Sequence, residues 1–126
     1  MKALVTGGAG FIGSHLCEQL LSFGHEVSVI DNLSYGNYSN ISHLEKINNF
    51  IFYNEDITKY ESINKIFSDH DWVFHLAGIA DIVPSIENPT KYFETNVKGT
   101  LNILECSKMS GIKRFIYAAS SSCYGI

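Results

Sequence analysis

Positive charge is scarce in this sequence. Nine Lys and Arg stand against thirteen Asp and Glu, giving a net charge of −4, and the basic residues nowhere cluster. Such a charge balance disfavours nucleic acid and anionic membrane as partners. No apolar run reaches the roughly 18 residues that a bilayer-spanning helix needs. Nor does any segment join a charged start, an apolar stretch and a small-residue cleavage site in the manner of a secretory signal. The expected location is the cytoplasm. Cysteine is sparse too. Cys17, Cys106 and Cys123 are odd in number and far apart, which fits neither a disulfide framework nor a zinc pattern. The five histidines lack metal-ligand spacing, so no metal is expected. Asn32-Leu33-Ser34, Asn37-Tyr38-Ser39 and Asn40-Ile41-Ser42 have the form of glycosylation sequons, and without a secretory signal they read as loop polarity. Proline is limited to two residues, and no linker, repeat or low-complexity tract divides the chain. The 126 residues are expected to form one domain at most.

What is present is alternation. With 45% hydrophobic residues the chain can bury a core. Short apolar runs at Lys2–Thr6, Val27–Asp31, Phe50–Tyr53, Trp72–Leu76 and Arg114–Ala118 predict five strands, separated by helical patterns. Ile12, Leu16 and Leu20 predict the inner stripe of the first helix, with Cys17 and Leu21 widening it and Gly24 ending it. Ser42 with Glu45, and Thr58 with Glu61, have capping-box spacing. Asn88 and Pro89 open a long helix whose buried face is expected at Phe93, Val97, Leu101 and Leu104. Right-handed crossovers then give a Rossmann-type α/β fold, a parallel sheet of order 3-2-1-4-5 with helices on both faces.

The chemistry begins at Thr6-Gly7-Gly8-Ala9-Gly10-Phe11-Ile12-Gly13-Ser14-His15, directly behind the first strand. Gly7 permits a tight turn, Gly10 lets backbone approach a pyrophosphate, and Gly13 allows close packing of helix on strand. Phe11 and Ile12 lie in the first helical turn, whose free N–H groups and positive dipole face the phosphates. Asp31 follows 18 residues after Gly13, at the end of the second strand, where it can accept both hydroxyls of a ribose. Its carboxylate would repel a 2′-phosphate, and Asn32 stands where an arginine could have received one. NAD is therefore expected over NADP. Leu76, Ala77 and Gly78 end the fourth strand at the sheet edge where ligands gather, small enough to leave room for the pyrophosphate and nicotinamide ribose. His75, beside them, reads as a structural histidine.

Together these residues resemble the extended short-chain dehydrogenase/reductase family, and within it the NAD-dependent nucleotide-sugar epimerases and dehydratases. The resemblance rests on the glycine motif, Asp31-Asn32-Leu33, Glu55-Asp56-Ile57, His75-Leu76-Ala77-Gly78, Asn96-Val97-Lys98-Gly99-Thr100 and Ser120-Ser121-Ser122-Cys123-Tyr124-Gly125. It implies that Asp56 takes the adenine amino group, Ile57 touches the ring, and Asn96 bonds backbone near the active site. A rival reading of Asp56 is a loop aspartate capping the turn at Thr58. By the same resemblance Ser120, four residues before Tyr124, bonds the reacting oxygen of the substrate.

The family's base is a tyrosine four residues before a lysine, and none of the seven tyrosines here has that spacing. The resemblance thus implies an amino-terminal fragment, an incomplete NAD-binding domain over residues 1–126. The base and most sugar contacts would lie beyond, and the fragment alone would be inactive. The full-length activity it implies is 4-epimerisation of a UDP-hexose, UDP-N-acetylhexosamine or UDP-uronate through a 4-keto sugar, by a homodimer formed through a helical bundle. Ser121 and Ser122 stand where 4,6-dehydratases carry Asp-Glu, and neither hydroxyl is a general acid or base near neutral pH. A UDP-glucuronate decarboxylase, a 4,6-dehydratase of the same family and a non-catalytic NAD-binding module remain alternatives.

Overall fold

The structure, a computed structural model, describes residues 1–125. Five parallel strands, β1 (Lys2–Thr6), β2 (Glu26–Ile30), β3 (Phe50–Tyr53), β4 (Trp72–His75) and β5 (Arg114–Tyr117), form one sheet of order β3-β2-β1-β4-β5. β1 is central, with Val5 opposite Val29 on one side and Phe74 on the other. Between the strands run α1 (Phe11–Ser22), α2 (Tyr60–Ile63), α3 (Ile82–Glu87), α4 (Pro89–Tyr92) and α5 (Thr100–Met109). A π-helical segment, Phe93–Gly99, joins α4 to α5.

Side chains alternate across each strand, so the sheet separates two cores. Ala3, Val5, Val27 and Val29 face α1, whose Cys17 and Leu20 close the first core. Leu4, Ile30 and Val73 face the other way, onto Ile63, Phe67, Ile103 and Cys106. Strand bounds agree with the sequence pattern to within one residue. Helix faces agree less well. Ile12, expected in the inner stripe of α1, is 69% exposed, because the first turn stands clear of the sheet at the groove. Neither capping box forms. Asn37 caps the turn at Tyr38–Asn40 ahead of Ser42, and the Thr58 hydroxyl donates to Asp56.

The largest correction concerns the helix after Pro89. Asn88 does cap it, accepting from Lys91 N at 3.2 Å. Phe93, Val97, Leu101 and Leu104, however, are all exposed, and Gly99, Ile103, Cys106 and Ser107 are buried instead. The cause is close approach. A side chain at Gly99 would meet Ile57 Cδ1 at 2.6 Å, and Asn102 Nδ2 donates to Ile57 O at 2.9 Å. The glycine at 99 and the Asn102 bond therefore turn that face inward against Ile57, with Ile103 following into the core, and the stripe Phe93, Val97, Leu101 and Leu104 points outward. No helix among the described residues is long and apolar enough to cross a membrane.

Candidate functional site

The chain runs from the β3 edge of the sheet across to β4, beside β1. The carboxyl ends of β1, β2 and β4 therefore meet at a topological switch point, the place where open α/β sheets take ligands. A cavity of about 350 Å³ lies there. Gly7 and Gly10 form its floor, Asp31 and Asn32 one wall, Asp56 and Ile57 its end, and Leu76, Ala77 and Gly78 the opposite wall.

Gly7 has φ +72°, and a Cβ there would come within 2.8 Å of Ala77 N. A Cβ on Gly13 would overlap the Gly7 carbonyl and come within 2.8 Å of Gly8 Cα. Turn and helix thus touch backbone to backbone, which brings the start of α1 onto the cavity floor. Gly10 precedes α1 in extended conformation and provides no side-chain cap, and no acidic residue occupies the first turn. The amides of Phe11, Ile12 and Gly13 precede the first intrahelical bond, from Ser14 N to Gly10 O at 3.0 Å. Three unpaired donors and a positive dipole end, with glycine in place of side chains, fit a pyrophosphate.

Asp31 is nearly buried, and its carboxylate is already oriented. Ala9 N donates to Oδ2 at 2.9 Å and Leu33 N to Oδ1 at 2.8 Å. The Ala9 carbonyl is held in turn by Asn37 N and Asn40 Nδ2, at 3.0 and 2.9 Å. Each carboxylate oxygen keeps a further lone pair for a ligand hydroxyl. Asp56 accepts at Oδ1 from Thr58 N and Oγ1, both at 2.8 Å, and at Oδ2 from Asn32 Nδ2 at 3.3 Å. Partial burial works against its charge. The Thr58 and Asn32 hydrogen bonds, with Lys59 nearby, overcome that and hold the carboxyl below its ordinary value. The turn-capping reading of Asp56 is therefore realised at Oδ1, while Oδ2 is shared with the cavity wall.

On the β4 side, Leu76 N donates to Thr6 O at 3.1 Å and Ala77 N to Thr6 Oγ1 at 3.2 Å. Asn96, inside the π segment, grips Ile79 at both peptide groups: Ile79 N donates to Oδ1 at 2.8 Å and Nδ2 donates to Ile79 O at 2.9 Å. An asparagine in mid-helix thus has its partner in the groove wall. His75 is buried between Thr6 and Thr100, and burial lowers its pKa to about 4, so the ring is neutral.

Ser120 lies apart. It is exposed, is not part of the cavity wall, and caps the turn Ser121–Tyr124, accepting from Ser122 N at 3.1 Å. Sequence reasoning missed Tyr35 and Lys91, which meet across the mouth of the cavity. Lys91 Nζ donates to the Tyr35 hydroxyl at 3.4 Å and sits 5.3 Å from the ring centroid. Nothing in their local sequence signals the pairing, because it joins residues 56 apart. Among the described residues no cluster of metal-binding side chains occurs.

A family profile described as "NAD dependent epimerase/dehydratase family" matches residues 3–126. The chain is 38% identical over 129 residues to a UDP-glucose 4-epimerase of Klebsiella pneumoniae, covering 99% of this chain and 93% of that protein. A solved UDP-Glc/GlcNAc 4-epimerase from Campylobacter jejuni superposes with a TM-score of 0.91 at 34% identity, over 98% of this chain. The dTDP-glucose 4,6-dehydratase DesIV from Streptomyces venezuelae gives 0.85 at 35% identity, over 91% of this chain. The chain spans 38% of the length of each of those two solved proteins. With a match over nearly its whole length, the chain belongs to the NAD dependent epimerase/dehydratase family.

Proposed function

We propose that this chain binds NAD+ in the groove and contributes the cofactor side of an enzyme that inverts carbon 4 of a nucleotide-linked sugar. The observation that carries the reading is that Gly10, directly ahead of the uncapped start of α1, lines the same cavity as the pre-oriented Asp31 carboxylate. When bound, NAD+ supplies reversible hydride uptake. The chain's own residues supply position. The amides of Phe11, Ile12 and Gly13 hold the pyrophosphate, Asp31 the adenosine ribose and Asp56 the adenine amino group. Leu76, Ala77 and Gly78 leave space beside Gly7 for the second ribose, and Asn96 holds that wall. Ser120 donates to the sugar oxygen at which the proton is exchanged.

Epimerisation is preferred to dehydration because Ser121 and Ser122 follow Ser120, and neither can shuttle a proton at carbons 5 and 6 near neutral pH. The outward stripe Phe93, Val97, Leu101 and Leu104 is the surface on which a second copy would pack as a homodimer. Leu101→Glu is expected to yield monomer by sedimentation with the fold intact; an unchanged dimer would remove this stripe from the interface.

The reaction is tested by incubating the whole enzyme to which this chain contributes with UDP-glucose, UDP-N-acetylglucosamine and UDP-glucuronate and following the sugar by proton NMR. The expected product is the 4-epimer of one of them. Release of carbon dioxide from the uronate, formation of a 4-keto-6-deoxy sugar, or no conversion would overturn the epimerase reading.

A further inference from the structure

His75 is the largest polar side chain buried in the molecule, and the proposed chemistry does not use it. Its two nitrogens join two elements that are far apart in the sequence. Nδ1 lies 2.6 Å from Thr6 Oγ1, at the end of β1, and Nε2 lies 2.8 Å from Thr100 Oγ1, at the start of α5. The hydrogens can be placed by elimination. Thr100 Oγ1 donates to Asn96 O at 2.7 Å, so toward the ring it accepts, and Nε2 must carry the proton. Nδ1 is then an acceptor for the Thr6 hydroxyl. Thr6 Oγ1 in turn accepts from Ala77 N at 3.2 Å. Every donor in the chain from Ala77 to Asn96 meets an acceptor, in one direction only.

Both ends of this relay hold the same wall. Ala77 N hangs from Thr6, and the peptide of Ile79 hangs from Asn96, whose carbonyl anchors Thr100. Leu76–Ile79 is therefore suspended between β1 and the helix, and His75 sets the span. The margin is small, since a single Cβ on Gly7 would already collide with Ala77. Asp31 and Asp56 lie on the β2 and β3 side of the glycine turn, and Leu76–Ile79 on the β4 side. A dinucleotide laid across that turn has its adenosine on the first side and its nicotinamide half on the second.

We infer that His75 is a positioning residue: fixed as the Nε2–H tautomer between Thr6 and Thr100, it sets the Leu76–Ile79 wall for the nicotinamide half of the cofactor. The inference rests on the NAD-binding reading above. ADP, which ends at the pyrophosphate, separates the two halves. In the native protein, His75→Leu and Thr100→Val should each weaken NAD+ about tenfold by calorimetry, because each substitution leaves hydrogen-bond partners in the relay unpaired. ADP affinity should not change, and Thr100→Ser, which keeps the acceptor, should restore NAD+ affinity. Ring nitrogen NMR should show Nε2 protonated and Nδ1 bare at neutral pH. Equal losses for ADP and NAD+, no loss for either, or a proton on Nδ1 would overturn the inference. Failure of the unsubstituted protein to bind either ligand would instead refute the NAD-binding reading and this inference with it.

Discussion

At the carboxyl end of β2, the Asp31 carboxylate is braced against Ala9, 22 residues earlier in the chain, and against Leu33. Beyond the end of β5, Ser120 bonds only within its own turn: Oγ donates to Ser122 Oγ at 3.0 Å, and its carbonyl accepts from Cys123 Sγ at 2.9 Å. The first region crosses between strands and is buried; the second is local and exposed. Under the proposed function the difference separates two tasks. Groups that hold a cofactor are oriented before it arrives, so little ordering cost falls on binding. A group that meets the reacting atoms can be oriented by what packs over it.

The contrast can be broken most severely at the glycine turn. Gly13→Val would drive a branched side chain into the Gly7 carbonyl and should cost about 3 kcal/mol of stability. Thermal melting would show it, together with loss of NAD+ binding. A pair of substitutions then tests the division of tasks. Asp31→Arg removes a charge-assisted site and should lower NAD+ affinity about 100-fold. Ser120→Ala should leave that affinity unchanged while lowering turnover by about the same factor. Calorimetry beside a steady-state assay checks both, and a binding defect in Ser120→Ala would merge the two regions into one.

A smaller effect follows from the buried imidazole. The pKa of His75 is lowered from 6.5 to about 4 by burial, so the unfolded chain takes up a proton that the folded one refuses in between. The stability this gives is complete above pH 6.5 and is lost as pH falls toward 4. His70, also lowered by burial, contributes on the same limb. His75→Gln should flatten the fall in denaturation midpoint across that window without abolishing it. The smallest change is expected at the mouth of the groove. Lys91→Ala removes one exposed contact with Tyr35 and should alter NAD+ affinity by about twofold. A much larger loss would show that the pair holds the adenosine end closed.

Most of this architecture was legible because it is written in short-range chemistry. Strands announce themselves as apolar runs, and Gly7 and Gly13 identify the groove because a Cβ at either would strike backbone. Asp31 could be found by its distance from that turn. The face of the helix after Pro89 could not. Its apolar residues recur at helical spacing, yet the π segment widens one turn by a residue, and Gly99 and Asn102 lock the opposite face to Ile57. Burial there is decided by how closely the backbone must approach the sheet, which periodicity does not record. The His75 relay was likewise invisible, since it joins Thr6 to Thr100 through a residue 69 positions from one and 25 from the other.

The central claim is that a dinucleotide without a 2′-phosphate lies across the glycine turn with its ribose on Asp31. Calorimetric titration of the native protein with NAD+ and then NADP+ tests it most directly. Saturable binding of NAD+, with NADP+ weaker by about tenfold or more, is the expected result. Equal affinity for the two, or heat from neither, would contradict it.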